Sequence, residues 1–465
     1  MCLRLCLRLR LCRRWPLMRL SQRWSELMGR GLHQGVFRYD GMGTLAHHRF
    51  HLRVDSKQRG ILIIDASQLV ELNGTALDYV RCLLEGRTEE DMFRYMSHRY
   101  QGLDRSTASE HYSRISDQLV RFMNGETDIL EIIGTERPTI GADDFPAPYR
   151  MDLALTYHCQ NVCAHCYNEP RDLKELDEDR WMKVIARTWQ LGIPHVVFTG
   201  GEPTLIPYLD RLIARSESYG QVTGLVTNGR KLSTPGYLKD LVGKGLDHVQ
   251  ITVISHREDV HDRLSGALGA WKETIEGLRA ALKEDLYVST NTTIMASNKD
   301  DVLDTMRFLI SLGVKNIAFN SIIRSGKGKE TEGVAYPVLQ DILTKLNLLA
   351  EEAGVRMVWY TPTPYCELNP INLGLGIKQC TACSINMAVE PDGTVLPCQS
   401  YYCPLGNILQ DPWEYIWNHD LCKEIRGRRY VEEKCTDCAL LDTCGGGCPL
   451  ARKMGSLACW DHGPS

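Results

Sequence analysis

The sequence predicts an α/β fold organised around a parallel sheet, and two observations support this prediction. Short apolar runs alternate with stretches of helical periodicity between residues 149 and 350. The candidate strands are residues 151–156, 195–199, 222–227, 248–253, 288–294 and 316–322. Helical periodicity separates them, for example at residues 177–192 and 301–313. Because successive βα units pair in parallel with right-handed crossovers, the six repeats predict one parallel sheet.

Length, hydrophobicity and charge limit the classes of protein that this chain can be. Its 465 residues suggest two to four domains. It is 43% hydrophobic without an apolar run long enough to span a bilayer, so we expect a soluble protein with no membrane partner. The formal net charge of −4 gives no indication of a nucleic-acid partner.

The first 44 residues form a basic extension, and over residues 1–20 Leu alternates with Arg or Cys. Arginines interrupt the apolar stretch throughout, so the segment lacks the apolar core of a signal peptide. A targeting peptide and a basic surface strand are alternative interpretations. We expect a disordered or mis-started extension, with the folded chain beginning near Met42, and we assign no role to Cys2, Cys6 or Cys12.

Residues 45–128 have the pattern of a small winged-helix domain. Two strands are predicted at 47–55 and 60–66, with a turn between them at 56–60. A helix is predicted over 69–86, where Leu77, Val80 and Leu84 share one face. Thr88 is predicted to cap the next helix, with Asp91 at its third position, and a third helix covers 107–123. Residues 129–148 follow as a proline-containing linker.

This domain resembles the PqqD-like family of peptide-binding domains. The resemblance rests on the first strands, the LNGTA run at 72–76 and the LLEGRTEEDM junction at 83–92. It implies that a leader peptide adds as a strand to the sheet edge, where backbone N–H and C=O groups are available, and packs on the third helix. A DNA-binding winged helix and a structural cap remain alternatives. The third helix carries charges of both signs, which argues against a phosphate-binding face; the residues are His111, Arg114, Asp117 and Arg121.

A cysteine triplet follows the first strand of the predicted parallel sheet. Its spacing is Cys159-x3-Cys163-x2-Cys166, with the aromatic His165 before the last cysteine. Three thiolates so spaced can hold three irons of a [4Fe–4S] cluster and leave the fourth iron open to a small ligand. A zinc site or a disulfide is a weaker interpretation, because no matching fourth Cys or His follows nearby.

A glycine turn follows the second strand. It consists of Gly200, Gly201, Glu202 and Pro203, and the two glycines leave backbone groups uncovered by side chains. The cysteine triplet and this turn both follow carboxyl ends of parallel strands. Ligand sites of α/β sheets lie at that edge, so the two motifs are predicted to meet there.

The triplet and the turn together resemble the radical S-adenosylmethionine (radical SAM) superfamily. The resemblance implies that residues 149–350 form a partial (β/α)6 barrel of the TIM type, with a [4Fe–4S] cluster on the three cysteines. It also implies that the cluster cleaves SAM to methionine and a 5′-deoxyadenosyl radical. SAM contacts are expected from His165, Gly200, Gly201 and Glu202, and from Thr252 and Asn291 at later strands. For Thr252 and Asn291, a role as ordinary polar residues at strand ends is an equally good interpretation. No general acid or base is assigned.

The last hundred residues carry a second cysteine pattern after a bridge at 351–378. Over 379–465 the run is Cys383-x9-Gly393-x4-Cys398, then Cys435-x2-Cys438-x5-Cys444-x3-Cys448, and finally Cys459. Asp392 and Gly393 predict a hairpin between the first two cysteines. Zinc ribbons are an alternative, since C-x2-C pairs also suit zinc.

This pattern resembles the SPASM domain of radical SAM enzymes and implies two auxiliary [4Fe–4S] clusters. One cluster would take Cys383, Cys398 and Cys448 with Cys380, or else Cys366, as its fourth ligand. The other would take Cys435, Cys438, Cys444 and Cys459. Cys82, Cys403 and Cys422 are expected to be plain thiols, whereas Trp413 and Trp417 are expected in the core. Clustered cysteines, most of the 18 in the chain, favour a reducing compartment, so we expect the cytoplasm.

The sequence therefore predicts a radical SAM maturase, an oxidoreductase-type enzyme that modifies a ribosomally synthesised peptide captured by its N-terminal domain. Expected partners are the precursor peptide and a reductant such as flavodoxin or ferredoxin. A maturase of a protein, as for sulfatases, or of a small cofactor, such as haem or a metal-pterin, is the alternative. A third hypothesis is an iron–sulfur redox sensor that binds DNA.

Overall fold

A computed structural model describes most of the chain between residues 35 and 451. The described ranges are 35–41, 43–45, 48–54, 58–64, 68–123, 146–169 and 171–451. They fall into two compact units, one within residues 1–139 and the other within 140–465. The predictions for residues 1–34 of the basic extension, for most of the linker and for Cys459 lie outside the described residues.

The N-terminal unit contains a four-stranded antiparallel sheet in the order β1-β2-β3-β4. The strands are β1 (Gly35–Asp40), β2 (Arg49–Val54), β3 (Gly60–Ile64) and β4 (Gln68–Leu72). The two predicted strands are confirmed as β2 and β3. The predicted start at residue 45 missed β1, and the predicted helix over 69–86 wrongly included β4.

Three helices follow the sheet: α1 (Gly74–Leu84), α2 (Glu89–Arg99) and α3 (Arg105–Met123). The break between β4 and α1 is set by Asn73, whose side chain accepts the N–H of Ala76 at 2.9 Å and so caps the helix. The predicted cap at α2 is confirmed, since Thr88 accepts the N–H of Asp91 at 3.2 Å. A local capping signal therefore decides where strand gives way to helix.

The second unit is built on a ten-stranded sheet in the order β11-β10-β9-β8-β7-β6-β5-β12-β13-β14. Its strands are β5 (Arg150–Ala154), β6 (His195–Thr199), β7 (Val222–Thr227), β8 (His248–Thr252), β9 (Tyr287–Ile294), β10 (Asn316–Ser321), β11 (Arg356–Trp359), β12 (Asn386–Val389), β13 (Thr394–Leu396) and β14 (Gly406–Asn407). All six predicted strands are confirmed, and β5 to β11 pair in parallel. The last three strands extend this sheet beyond β5.

Helices cover the outer face of the parallel strands. In chain order they are α4 (Glu178–Gln190), α5 (Leu209–Tyr219), α6 (Tyr237–Gly243), α7 (Glu258–Ser265), α8 (Ala270–Ala281), α9 (Val302–Ser311) and α10 (Tyr336–Ala353). Met151 and Leu153 of β5 are fully buried in the same core as Trp181 of α4. Because side chains alternate along a strand, Arg150 and Asp152 lie on the opposite, inner face.

The C-terminal segment joins the sheet through β12, which pairs in parallel with β5. β12 and β13 form the predicted hairpin, with Gly393 in a left-handed conformation (φ +92°) that favours glycine. Three short helices follow: α11 (Trp413–Trp417), α12 (Asp420–Arg426) and α13 (Leu441–Cys444). The core positions predicted for Trp413 and Trp417 are confirmed, and their rings stack at 6.1 Å.

Among the residues that the structure describes, no helix is both long and apolar enough to cross a bilayer.

Candidate functional site

The cysteine loop leaves the carboxyl end of β5 and gathers its three thiols. Burial, together with the neighbouring thiols of Cys166 and Cys159, raises the pKa of Cys163 to about 12. Burial likewise raises the pKa of Cys159 and of Cys166. The spacing thus brings three thiols into one electrostatic neighbourhood, where each proton would leave when a metal binds.

The middle of the loop is held against the end of α7. Val162 and Ala164 donate their N–H groups to the carbonyls of Ser265 and Leu264, both at 2.8 Å. Gly266 follows with φ +65°, and a Cβ there would lie 2.8 Å from the carbonyl oxygen of Val162. Only glycine permits this close approach, so the α7 terminus fixes the loop backbone.

The glycine turn after β6 packs directly on the residues that precede the first cysteine. Gly200 has φ +130°, and a Cβ there would collide with the carbonyl of Thr156. A Cβ on Gly201 would collide with the carbonyl of His158. The N–H groups of Gly201 and Glu202 donate to those same two carbonyls, at 2.6 and 2.9 Å. The turn and the cysteine loop are therefore one backbone assembly.

Glu202 lies fully buried behind this turn. Its Oε1 accepts hydrogen bonds from the hydroxyls of Thr204 and Thr227, both at 2.7 Å, and its Oε2 accepts the N–H of Asn228 at 2.8 Å. Burial raises the pKa of this carboxyl, and the hydrogen bonds oppose the rise. The side chain predicted to contact the cofactor is thus occupied by the protein. It organises the turn, and its contact with SAM stays a prediction.

His165 offers an aromatic ring and a spare polar atom beside the thiols. Burial lowers its pKa to about 4, with a further contribution from His261. The ring is therefore neutral at neutral pH. Its Nδ1 is buried without a hydrogen-bond partner. Such an orphan atom fits a ligand that supplies the missing hydrogen bond.

Thr252 and Asn291 are neighbours across the β8–β9 pair. Both are half-buried and alternate with fully buried residues, so they face the inner side of the sheet. The Oδ1 of Asn291 is buried without a hydrogen-bond partner. The structure thus places both predicted residues on the inner face of the sheet, and among the described residues the Oδ1 of Asn291 has no hydrogen-bond donor.

Two further polar groups on the inner face were missed by the sequence reasoning. Asp152 of β5 is buried and accepts a 2.6 Å hydrogen bond from Nε of Arg150. Gln250 of β8 donates to the hydroxyl of Tyr360 at 3.1 Å. The alternation of polar and apolar residues in β5 was a readable signal for Asp152, whereas only the fold brings Tyr360 to Gln250.

A second set of thiols lies in the C-terminal segment. Burial raises the pKa of Cys398 to about 12, with the Cys448 thiol contributing. Burial also raises the pKa of Cys380, and Cys448 and Cys398 add to the rise. The structure therefore brings together Cys380, Cys398 and Cys448, three of the four residues predicted for the first auxiliary site. Cys366, the alternative to Cys380, is exposed.

The structure gives Cys383 a partner that the sequence did not predict. The structure pairs it with Cys422 of α12 in a disulfide, with the two Cα atoms 5.3 Å apart. Its backbone is left-handed (φ +55°), and both side chains are fully buried. In this arrangement Cys422 is not a plain thiol, and the role of Cys383 as a cluster ligand stays a prediction. Pairing across 39 residues depends on how α12 packs against the hairpin, which the local cysteine spacing does not encode.

The third predicted set is only partly described. Cys435 and Cys438 share one turn, in which the N–H of Cys438 donates to the carbonyl of Cys435 at 3.1 Å. Cys444 is buried, and its Sγ accepts the N–H of Tyr365 at 3.3 Å. Cys459 lies outside the described residues.

The thiol sets suit a cluster better than a single ion. Within the described ranges, no three Cys, His, Asp or Glu side chains are arranged to hold one metal ion. In a [4Fe–4S] cluster each cysteine binds a different iron, so the thiolates stand further apart than around one zinc. Three gathered thiols in each of the first two sets can bind three irons of such a cluster.

Comparisons with known proteins agree with this chemistry. Residues 153–309 match the family model of the radical SAM superfamily, and residues 380–439 match SPASM, an iron–sulfur cluster-binding domain. The PqqA peptide cyclase of Bradyrhizobium diazoefficiens is 26% identical over 329 residues, which cover 67% of this chain and 84% of the relative. The AdoMet-dependent heme synthase of Methanosarcina barkeri is 24% identical, over 64% of this chain and 91% of the relative.

Solved structures share the fold. Streptococcus suis SuiB bound to precursor peptide SuiA has a TM-score of 0.60 at 16% identity, covering 85% of this chain and 95% of SuiB. Native anSMEcpe with bound AdoMet and the Kp18Cys peptide has a TM-score of 0.53 at 19% identity, covering 65% of this chain and 89% of that protein.

The two domain matches account for the two main thiol sets. Radical SAM and SPASM domains hold a SAM-binding [4Fe–4S] cluster and auxiliary iron–sulfur clusters, so the predicted cofactors are confirmed. The predicted α/β fold with a radical SAM core is confirmed as well. This chain thus carries a radical SAM domain over residues 153–309, followed by a SPASM domain over residues 380–439.

Proposed function

We propose that this enzyme matures a ribosomally synthesised peptide whose leader is captured by the N-terminal unit. One observation carries the proposal: a separate unit with a small antiparallel sheet precedes the radical SAM and SPASM domains. Among the described strands, β4 pairs with β3 alone and ends that sheet. An extended peptide can add to such an edge through backbone hydrogen bonds. The likeness to a PqqA peptide cyclase and to SuiB with its precursor peptide supports this reading.

The SAM site is proposed at the meeting point of the cysteine loop and the glycine turn. Cys159, Cys163 and Cys166 would hold the cluster, and a cluster bound there supplies the electron that splits SAM into methionine and a 5′-deoxyadenosyl radical. His165 and the backbone of Gly200 and Gly201 would orient SAM from the loop side. Asn291 and Thr252 would orient it from the inner face of the sheet. Glu202 would act through the turn that it holds.

The auxiliary sites are proposed with one change of ligand. Cys380, Cys398 and Cys448 would hold the first cluster, with Cys366 as the remaining candidate for the fourth ligand. Cys435, Cys438, Cys444 and Cys459 would hold the second. These thiolates would keep the clusters in the SPASM domain for the electron that leaves the substrate when the product bond forms. A flavodoxin or ferredoxin is proposed as the external reductant, and the cytoplasm as the compartment.

A second candidate function is maturation of a small cofactor. The AdoMet-dependent heme synthase among the relatives favours this function. The match covers 91% of that protein, a share comparable with the 84% covered in the PqqA peptide cyclase. In this case the N-terminal unit would not be needed for substrate binding.

Peptide binding by the full-length, cluster-loaded protein separates the two candidates. We would measure fluorescence polarisation of labelled short peptides encoded next to the gene. We expect one of them to bind tightly, and to bind equally well to Cys159→Ala, which should no longer cleave SAM. Absence of binding to all of them, together with turnover of a porphyrin precursor, would contradict the peptide proposal. SAM cleavage that survives Cys159→Ala would contradict the assignment of the core.

A further inference from the structure

One carboxylate of the SPASM domain receives hydrogen bonds from both ends of the cysteine loop. Glu390 lies directly after β12, with its side chain 1% exposed. The hydroxyl of Tyr157, two residues before Cys159, donates to its Oε1 at 2.9 Å. Nη1 of Arg171, five residues after Cys166, reaches both carboxylate oxygens at 2.7 and 2.8 Å. The loop that carries the three thiols is thus closed at its base by a residue from another domain.

A tyrosine of the same domain extends this contact to the glycine turn. The hydroxyl of Tyr402 donates to Oδ1 of Asn168 at 3.3 Å, and Nδ2 of Asn168 donates to the carbonyl of Gly200 at 2.8 Å. The Arg171 guanidinium lies 5.5 Å from the centre of the Tyr402 ring, and the Tyr157 ring meets that ring edge-on at 6.3 Å. Both motifs proposed to bind SAM are therefore tied to one cluster of SPASM side chains.

Docking of the hairpin does not depend on these contacts. β12 is held beside β5 by its own strand register, from Asn386 opposite Arg150 to Val389 opposite Leu153. The N–H of Leu176 also donates to the carbonyl of Pro391 at 2.7 Å. Because the hairpin is already anchored, the Glu390 contacts act mainly on the loop. An ion pair that only attached the hairpin to the sheet would not need hydrogen-bond donors from both flanks of the cysteine triplet.

We propose that Glu390 is a positioning residue for SAM, which couples the SPASM hairpin to the shape of the cysteine loop through Tyr157 and Arg171. Without this carboxylate, Arg171 loses its buried partner and the segment 166–171 can leave the glycine turn. The inference rests on the proposed location of the SAM site. It assigns to this chain a contact by which the auxiliary domain controls SAM affinity.

The test compares Glu390→Ala and Glu390→Gln with a matched control in the same domain. Asp411→Asn serves as control. The carboxylate of Asp411 also accepts a hydrogen bond within the SPASM domain, from the backbone N–H of Asn407 at 2.6 Å, but it makes no hydrogen bond to the described residues of the cysteine loop. Hydrogen exchange of the amides at 159–168 is measured in the metal-free protein, and SAM affinity is measured in the anaerobic cluster-loaded protein. Bound iron is determined for each variant.

We expect loop exchange to speed up and SAM affinity to fall about tenfold in Glu390→Ala, with iron content unchanged. Glu390→Gln keeps the shape but not the charge, so its effect should be smaller. Asp411→Asn should match the wild type in all three measurements. Loop exchange and SAM affinity within about twofold of wild type in Glu390→Ala would overturn the inference, being far below the effect expected of a supporting residue.

General destabilisation of Glu390→Ala calls for a second variant, and SAM binding that does not depend on Cys159 calls for a different conclusion. If hydrogen exchange in Glu390→Ala rises throughout residues 140–465, that variant is destabilised as a whole. Loop exchange and SAM affinity are then compared with wild type in Glu390→Gln and Arg171→Lys, and values within about twofold of wild type would again overturn the inference. If the wild type binds SAM equally well after Cys159→Ala, the proposed SAM site fails. Failure of the Glu390 variants alone, with normal SAM binding by the wild type that depends on Cys159, removes only the positioning role.

Discussion

Glu202 accepts the backbone N–H of Asn228 at 2.8 Å and so joins the glycine turn after β6 to the end of β7. The hydroxyls of Thr204 and Thr227 and the N–H of Thr204 also donate to this carboxylate. The carboxylate is fully buried, and the structure gives it only protein partners that donate. The side chain thus holds together the turn after β6 and the end of β7.

We predict that Glu202→Gln weakens SAM binding while leaving the thiols in place. An amide nitrogen would face one of the donors, and the loss of the charge-assisted bonds should lower the free energy of unfolding by about 3 kcal/mol. Urea denaturation and anaerobic SAM titration measure the two effects. Glu178→Gln is the control, because that exposed pair with Arg211 should be worth less than about 1 kcal/mol. Equal effects in the two variants would contradict the role assigned to Glu202.

The iron content of variants should show whether Cys380 or Cys383 binds the first auxiliary cluster. Cys380 lies with Cys398 and Cys448, whereas Cys383 is paired with Cys422. We therefore expect Cys380→Ala to lose iron from the first auxiliary site and Cys383→Ala to retain the wild-type iron content. Iron per protein and the spectrum of the reduced clusters give the answer. Loss of iron in Cys383→Ala would restore the ligand set expected from the SPASM resemblance.

Asn291→Ala should weaken SAM binding without lowering the free energy of unfolding. Its Oδ1 is buried and without a partner, so removing it should not lower the free energy of unfolding. If this acceptor binds SAM, affinity should fall by about tenfold, the value of one hydrogen bond of about 1.4 kcal/mol. Asn347→Ala is the control, since Asn347 lies on α10, one of the helices that cover the outer face of the sheet. An unchanged SAM affinity in Asn291→Ala would remove Asn291 from the site.

His248 should make the second unit sensitive to acid. Burial lowers its pKa to about 3, and the nearby Arg150 lowers it further. Between pH 6.5 and pH 3 the unfolded chain binds this proton and the folded chain does not. Stability is therefore complete above pH 6.5 and falls by up to about 1.4 kcal/mol per pH unit below it.

His248→Gln should flatten this dependence. We would compare urea midpoints of the variant and the wild type at pH 7 and pH 5.5, and we expect the difference between the two pH values to shrink. His98→Gln is the control, because His98 is exposed on α2 of the other unit. An identical loss of stability in His248→Gln and the wild type would show that His248 does not carry the effect.

Local sequence signals predicted the parts of the site that lie within one short segment. The cysteine spacing predicted three gathered thiols, and the paired glycines predicted a turn at which side chains are excluded. The cap at Thr88 and the hairpin at Asp392 and Gly393 were also predicted correctly. Each of these features depends on residues within a few positions of one another, so propensity and spacing describe them.

The sequence by itself determined the βα alternation, the edge where the two motifs meet and the chemistry of the thiols. Only the tertiary structure decided that Glu390 closes the cysteine loop from 219 positions away, that Cys383 pairs with Cys422, and that Glu202 faces the protein. The physical reason is the range of the forces. Turns, caps and strand periodicity are set by neighbouring backbone, whereas a buried carboxylate or thiol takes whichever partner the packed core delivers to it.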